Sequence, residues 1–243
     1  MRKIYLSPHL DDAILSCGGV IFEERKEGDS VEIWNFMNGI PSSKLPLSDL
    51  ARSVHAEWGL GSAKEVLDLR LTEDRISASR VNALPRYFGF LDCIYRHDKK
   101  GTPLYAEDIF VAPHPADTEL VDKIAIAINE NIEPDDVLIC PLTIGNHPDH
   151  VIVRRAAEKT GHPLSYYADI PYALRFPGQL TEITKGLAEN LHRVSDEGLD
   201  VWQGAASAYS SQLDVLFGGE EMMKAALKLN WRASRGVYLY QKN

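Results

Sequence analysis

Cysteine is scarce in this chain: Cys17, Cys93 and Cys140 are the only three in 243 residues. Their odd number and wide spacing, with no Cys-x-x-Cys pair, offer neither a disulfide framework nor a thiolate zinc site, and a reducing compartment is the expectation. Positive charge is short as well. With 26 Lys and Arg against 35 Asp and Glu, the formal net charge is −9, which excludes the basic footprint of a nucleic-acid binder. A local basic pocket for a phosphorylated or nucleotide-linked substrate remains compatible with it. No apolar run approaches the ~18 residues of a membrane span, and the apolar stretch after Met1-Arg2-Lys3 is too short for a signal peptide. The expectation is a cytoplasmic protein with no membrane span and no nucleic acid as partner. A Gly-x-Ser-x-Gly elbow is missing, which argues against a serine hydrolase. Residues 7–19 lack Gly-x-Gly-x-x-Gly and place two aspartates where a pyrophosphate would bind, which argues against a dinucleotide enzyme. There is no internal repeat, low-complexity tract or Pro/Gly linker, so residues 1–243 read as one domain.

What is present is an alternation of short apolar runs and amphipathic stretches. Strands are expected at 3–7, 30–37, 65–69, 137–140, 164–168 and 237–240. Helices are expected at 13–27, 47–60, 117–132, 150–160, 180–194, 204–217 and 220–229. This order predicts an α/β fold with a parallel sheet covered on both faces. Residues 70–116, charged and aromatic by turns, read as an irregular insertion over one end of the sheet, equally compatible with a substrate loop and a plain connection.

Two stretches carry chemistry: Ser7-Pro8-His9-Leu10-Asp11-Asp12-Ala13, and His147-Pro148-Asp149-His150. Each follows an apolar strand, and ligands of open parallel sheets gather at the carboxyl ends of strands. His9 and Asp12, three apart at a helix start, can face one point. Imidazole and carboxylate suit a catalytic zinc with three protein ligands and an open position; His150 supplies the third. Such a site lowers the pKa of bound water from ~15.7 to about 7, leaving Asp11 as general base, His147 to protonate a departing amine and Asp149 to orient a histidine. The same ligand set suits Fe2+. Taken singly, the Asp pair could merely cap a helix and His-Pro merely form a loop; their joint placement after two strands outweighs both. Pro113-His114-Pro115-Ala116-Asp117 has the same His-to-Asp gap without a preceding strand, so Asp117 is read as an N-cap and His114 as a loop residue.

At these residues the chain resembles the LmbE-like (PIG-L) family of zinc-dependent N-deacetylases. Their first motif has the form Ala/Ser-His/Pro-His-Pro-Asp-Asp; here Leu10 replaces the proline, and Ala13 stands where many members have glutamate. Their second motif, His-Pro-Asp-His, is matched completely. Tyr166-Tyr167-Ala168-Asp169-Ile170-Pro171-Tyr172-Ala173, and Trp202 followed by Ala208-Tyr209-Ser210-Ser211-Gln212, are similar to two further family segments. The resemblance implies a Rossmann-like open sheet, mostly parallel, with helices on both faces. It implies His9, Asp12 and His150 as zinc ligands, Asp11 as base, His147 as general acid or transition-state stabiliser, and Asp149 as the partner tuning His147. The family also carries an arginine in the helix after the second strand, usually with glutamate three residues later. Arg52 is assigned there as a substrate or phosphate contact, although His55 holds the glutamate position with Glu57 nearby. Gly145 stands where some members have a tyrosine that helps hold the oxyanion. The implied activity is removal of an acetyl or other acyl group from an N-acylated amino sugar or its conjugate. Two alternatives remain: hydrolysis of another C–N bond in a non-sugar N-acyl metabolite, and a catalytically silent sugar- or nucleotide-binding module. Five intact ligand and base positions speak against the second. A homo-oligomer stays open.

Overall fold

The computed structural model describes residues 1–242. In chain order the elements are β1 (Arg2–Ser7), α1 (Asp12–Lys26), β2 (Ser30–Asn35), α2 (Asp49–Glu57), α3 (Ala63–Arg80), β3 (Leu84–Tyr87), α4 (Thr118–Asn129) and β4 (Val137–Pro141). They continue with α5 (Pro148–Lys159), β5 (Leu164–Tyr167), α6 (Tyr172–Arg175), α7 (Pro177–Ile183), β6 (Leu187–Arg193), α8 (Asp196–Ala206), α9 (Ser210–Phe217), α10 (Glu220–Ser234) and β7 (Gly236–Lys242). The strands form one sheet in the order β3-β2-β1-β4-β5-β7-β6. The first five are mutually parallel, and β7 runs antiparallel to both β5 and β6. The mostly parallel sheet with helices around it agrees with the expected class.

Alternate residues of each strand feed opposite faces. Tyr5, Ile33 and Ile139 join α1, α8 and α10 in one core; Ile4, Leu6, Leu138 and Cys140 join α4 and α5 in the other. Burial on both faces is why β1 and β4 read as unbroken apolar runs. The chain leaves β1 towards β2 on one side, whereas β4 lies on the other. The loops after β1 and β4 therefore open into one crevice at the point where the strand order reverses, which is where parallel sheets bind ligands.

Helix α1 can lie close to α8 because Gly18 and Gly19 present no side chain. Trp202 fills the space and donates from Nε1 to the Ile14 carbonyl at 2.7 Å. A Cβ on Gly18 would stand 2.5 Å from Trp202 Cδ1. Alanine in an open helix site gains up to about 1 kcal/mol over glycine. Here overpacking should reverse the sign, and Gly18→Ala is expected to lose about 1–3 kcal/mol in urea denaturation. A stabilised variant would show that Trp202 yields freely.

Several expected boundaries move. Residues 65–69 are not a strand but lie inside α3. Ser62 caps that helix, accepting from the Glu65 amide at 3.2 Å, while its hydroxyl donates to the Glu65 carboxylate at 2.8 Å; this Ser-x-x-Glu spacing of a capping box decides a short ambiguous apolar run in favour of helix. The third parallel strand is β3, inside the stretch read as irregular. The expected helix over 180–194 divides into α7 and edge strand β6 at Gly186, whose positive φ breaks the helix. The one over 204–217 divides into α8 and α9, and the last helix runs on to Ser234. Among the described residues no helix is long and apolar enough to cross a membrane.

Candidate functional site

The two motifs meet at the crevice. Asp11 occupies the cap position of α1 but makes no side-chain cap hydrogen bond, so capping does not explain the aspartate pair. Asp12 Oδ2 lies 3.3 Å from His9 Nδ1 and 3.3 Å from His150 Nε2. Tetrahedral zinc with bonds of ~2.0–2.1 Å sets its ligand atoms about 3.3 Å apart. His150 Nε2 is buried and has no hydrogen-bond partner, the condition of a nitrogen reserved for a cation. The far side of each ring is held by a buried carboxylate: His9 Nε2 lies 3.0 Å from Asp149 Oδ2 and His150 Nδ1 lies 2.6 Å from Asp169 Oδ1. That arrangement fixes ring orientation and makes the facing nitrogens better ligands. His147 also offers a ring nitrogen within 4.8 Å of those of His9 and His150, but its Nδ1 accepts the Asp149 amide at 3.3 Å. The residues present therefore fit a metal ion.

The electrostatics agree. Burial opposes charge on the His150 ring, but Asp12 and Asp169 outweigh it and raise its pKa to about 9. Burial likewise opposes charge on His9, and Asp12 with Asp149 lifts it well above the usual histidine range. Each ring seeks a positive charge that a metal ion would supply, displacing the protons. His147 behaves oppositely: burial, reinforced by the His9 charge, holds it well below the usual range. With Nδ1 accepting the Asp149 amide, the neutral form of the ring carries its proton on Nε2, 3.9 Å from Cys93 Sγ.

These groups open onto a cleft of about 170 Å³ lined by His9, Asp11, Asp12, Arg70, Asp92 and His147 together with apolar side chains. A family model described as PIG-L, GlcNAc-PI de-N-acetylase, matches residues 4–160. The chain belongs to the PIG-L family. Among relatives, it is 26% identical over 238 residues to a 2'-N-acetylparomamine deacetylase of Niallia circulans, covering 91% of this chain and 84% of that protein. A zinc-inhibited form of teicoplanin deacetylase superposes with a TM-score of 0.84 at 27% identity, covering 99% of this chain and 97% of the other. The deacetylase of an antimicrobial pseudoaglycone superposes with a TM-score of 0.76 at 28% identity, covering 98% and 95%.

In this PIG-L chain Arg52 is not brought to the cleft. Its side chain is exposed and turned to Asp49 and the Leu47 carbonyl. Arg70 is there instead, with Nη2 3.1 Å from Asp11 Oδ1 and its guanidinium over the Trp58 ring. Glu73 follows three residues later, the spacing the family resemblance asks for. Reading 65–69 as a strand hid that signal. Glu73 accepts from the Ser211 amide and from both the Ser210 and Ser211 hydroxyls, so α3 ties Asp11 to the start of α9.

The Asp149 carboxylate contacts His9 Nε2 at 3.0 Å, and its charge acts on the His147 ring against the burial that lowers that ring's pKa. It also accepts from the Cys93 amide at 3.0 Å and from Arg96 Nη1. Burial disfavours its charge, and Arg96 more than compensates, holding the carboxyl well below the usual range. Arg96 further pairs with Asp117 at 3.1 Å. Asp117 stands at the cap position of α4 without capping it, because its oxygen serves Arg96 and the Tyr105 hydroxyl. His114 is a loop residue, accepting the Ala116 amide. Part of the supposed insertion thus buttresses the site. At Gly145, φ is +88° and a Cβ would meet the Tyr172 ring at 3.2 Å. Tyr172 fills the space beside His150, with ring centroids 5.8 Å apart.

Asp74, one residue beyond Glu73, is fully buried among Asn35, Tyr87 and Tyr209. Burial pushes its pKa up to about 7 despite the two phenol hydrogen bonds. The folded protein therefore holds a proton that the unfolded chain releases near pH 4, and stability contributed by this group is lost as pH rises towards 7. Asp74→Asn should remove that slope, so its stability relative to the parent improves steadily from pH 4 to 8 in urea titrations. A pH-independent difference would sink the assignment.

Proposed function

We propose that this protein is a zinc-dependent N-deacetylase releasing acetate from an N-acetylated amino sugar or its conjugate. The observation that carries the reading is Asp12 lying equally close to His9 and His150, with Asp11 and His147 opening on the same cleft. His9, Asp12 and His150 would hold the ion, which when bound supplies Lewis-acid polarisation of the amide carbonyl and a more acidic water. Fe2+ fits the same donors, and metal analysis of active protein decides between them. Asp11 takes the proton of the attacking water. Burial raises its pKa above the usual carboxylate value while Arg70 pulls the other way, which leaves a stronger base than an exposed aspartate. Arg70 holds one oxygen of the Asp11 carboxylate at 3.1 Å, and Asp11 lines the cleft. Neutral His147 donates its Nε2 proton as a hydrogen bond to the developing oxyanion, the stabiliser's role and not the strong acid's. The proton gathered by Asp11 is then delivered to the leaving nitrogen. The resemblance to deacetylases of sugar-bearing molecules supports the substrate class.

The test is acetate and amine release from free, lipid-linked, nucleotide-linked and thiol-linked N-acetylglucosamine. The expected result is release from at least one substrate, lost on chelation and restored by zinc. Zinc-loaded, folded protein that releases nothing from the panel, or activity indifferent to chelation, would overturn the reading.

A further inference from the structure

We propose that the group attached to the substrate sugar is apolar and carries neither phosphate nor additional amines, an inference that rests on the deacetylase reading above. The cleft divides chemically along its depth. Its floor carries His9, Asp11, Asp12, Arg70 and His147, enough to engage the amide. Away from that floor the lining is mostly apolar and comes from three separate elements: Val54 of α2 with Trp58 just beyond it, Val215 and Leu216 of α9, and Ile109 in the segment before α4, with Glu57 and Gln212 as the polar exceptions. Phe110 follows, its ring 5.6 Å from that of Tyr172 and 6.1 Å from that of His147. Val215 is 48% exposed and Phe110 45%. Single exposed apolar side chains are ordinary, but their convergence around one opening from three elements marks a binding surface.

Charge at the opening narrows the class. Among the described residues Arg70 is the one Lys or Arg lining the cleft, and Asp11 holds it. The nearby guanidiniums are also engaged: Arg52 on Asp49 and the Leu47 carbonyl, Arg175 on the Leu216 carbonyl. Among the described residues that line the cleft, no free cation awaits a phosphate. Of the acids beyond the floor only Asp92 and Glu57 line the cleft, and Asp92 already accepts the Ile94 amide and lies 3.6 Å from His9. A polyamino aglycone needs more than that, whereas an alkyl or aryl group needs only the apolar walls. The occupant of those walls is taken to be the aglycone and not the acyl group, because acetyl is too short to reach from the floor to the rim.

The experiment compares methyl, butyl and hexyl N-acetyl-β-glucosaminides, N-acetylglucosamine 1-phosphate and 2'-N-acetylparomamine on the zinc-loaded enzyme. From methyl to hexyl, kcat/KM should rise about tenfold or more, mainly through KM, because the added contacts lie away from the reacting bond. The phosphate and polyamine compounds should fall below the methyl glycoside. Val215→Asp, at an exposed helix position that should fold, is expected to shrink the hexyl-to-methyl ratio. A flat alkyl series, an unchanged ratio in Val215→Asp, or preference for the phosphate or polyamine compound overturns the proposal. Calorimetry of hexyl against methyl β-glucosaminide gives a second measure that needs no turnover. Tenfold tighter hexyl binding with no hydrolysis of any compound keeps the apolar mouth and condemns the deacetylase reading; equal affinities condemn the mouth.

Discussion

Asp11→Asn is expected to lower kcat by about 10²–10⁴-fold while leaving the metal content of the purified protein unchanged. The amide keeps the size of the carboxylate and can still accept from Arg70, but it cannot take a proton from water. Asp12, not Asp11, is the carboxylate at 3.3 Å from both His9 Nδ1 and His150 Nε2. Loss of turnover should therefore separate from loss of metal, and His150→Ala should show the reverse, losing the metal first. Initial rates with metal analysis on the same preparation check both. If Asp11→Asn stays within about threefold of the parent, the base is elsewhere and the mechanism falls.

Arg96→Met is expected to cost about 3–5 kcal/mol of stability, the usual penalty for removing one partner of a buried ion pair. Arg96 neutralises two buried carboxylates, Asp149 and Asp117, and its side chain is 7% exposed, against 0% for Asp149 and 5% for Asp117. Methionine fills most of the volume, so lost packing contributes little and the unpaired charges dominate. Urea denaturation of metal-free protein measures the loss directly. Adding Asp117→Asn to the variant should recover part of it, because one of the two orphaned charges is then removed and the sites share a partner. A loss below about 1 kcal/mol would mean that water reaches these carboxylates. The same substitution should loosen metal binding, since Asp149 orients the His9 ring.

Parts of the site are local in sequence and were readable as such. His9 with Asp12, and His147 with His150, lie three residues apart at the entry of a helix, so local backbone alone can bring each pair to a common side. The apolar runs of β1 and β4 are unmistakable because both faces of the sheet are covered. The edge of the sheet was not: β6, with Glu189, Asn190 and Arg193 exposed and the other four residues only partly buried, has the composition of a helix surface, and it is held as a strand by pairing with β7.

The candidate ligand types, their two short spacings and the parallel sheet that places both motifs at strand ends were legible from the chain alone. Which distant side chains complete the site depended on the folded packing. Arg70 reaches Asp11 from 59 residues away, Arg96 reaches Asp149 from 53, and Asp169 backs His150 from 19. Nor could spacing decide that the Asp149 carboxylate contacts His9, 140 residues away. Pairings across such separations depend on how helices pack on the sheet, and no periodicity within a single element encodes them. A capping box or a Gly at positive φ acts within a few residues, whereas a buried guanidinium finds its carboxylate only after the chain has folded around both.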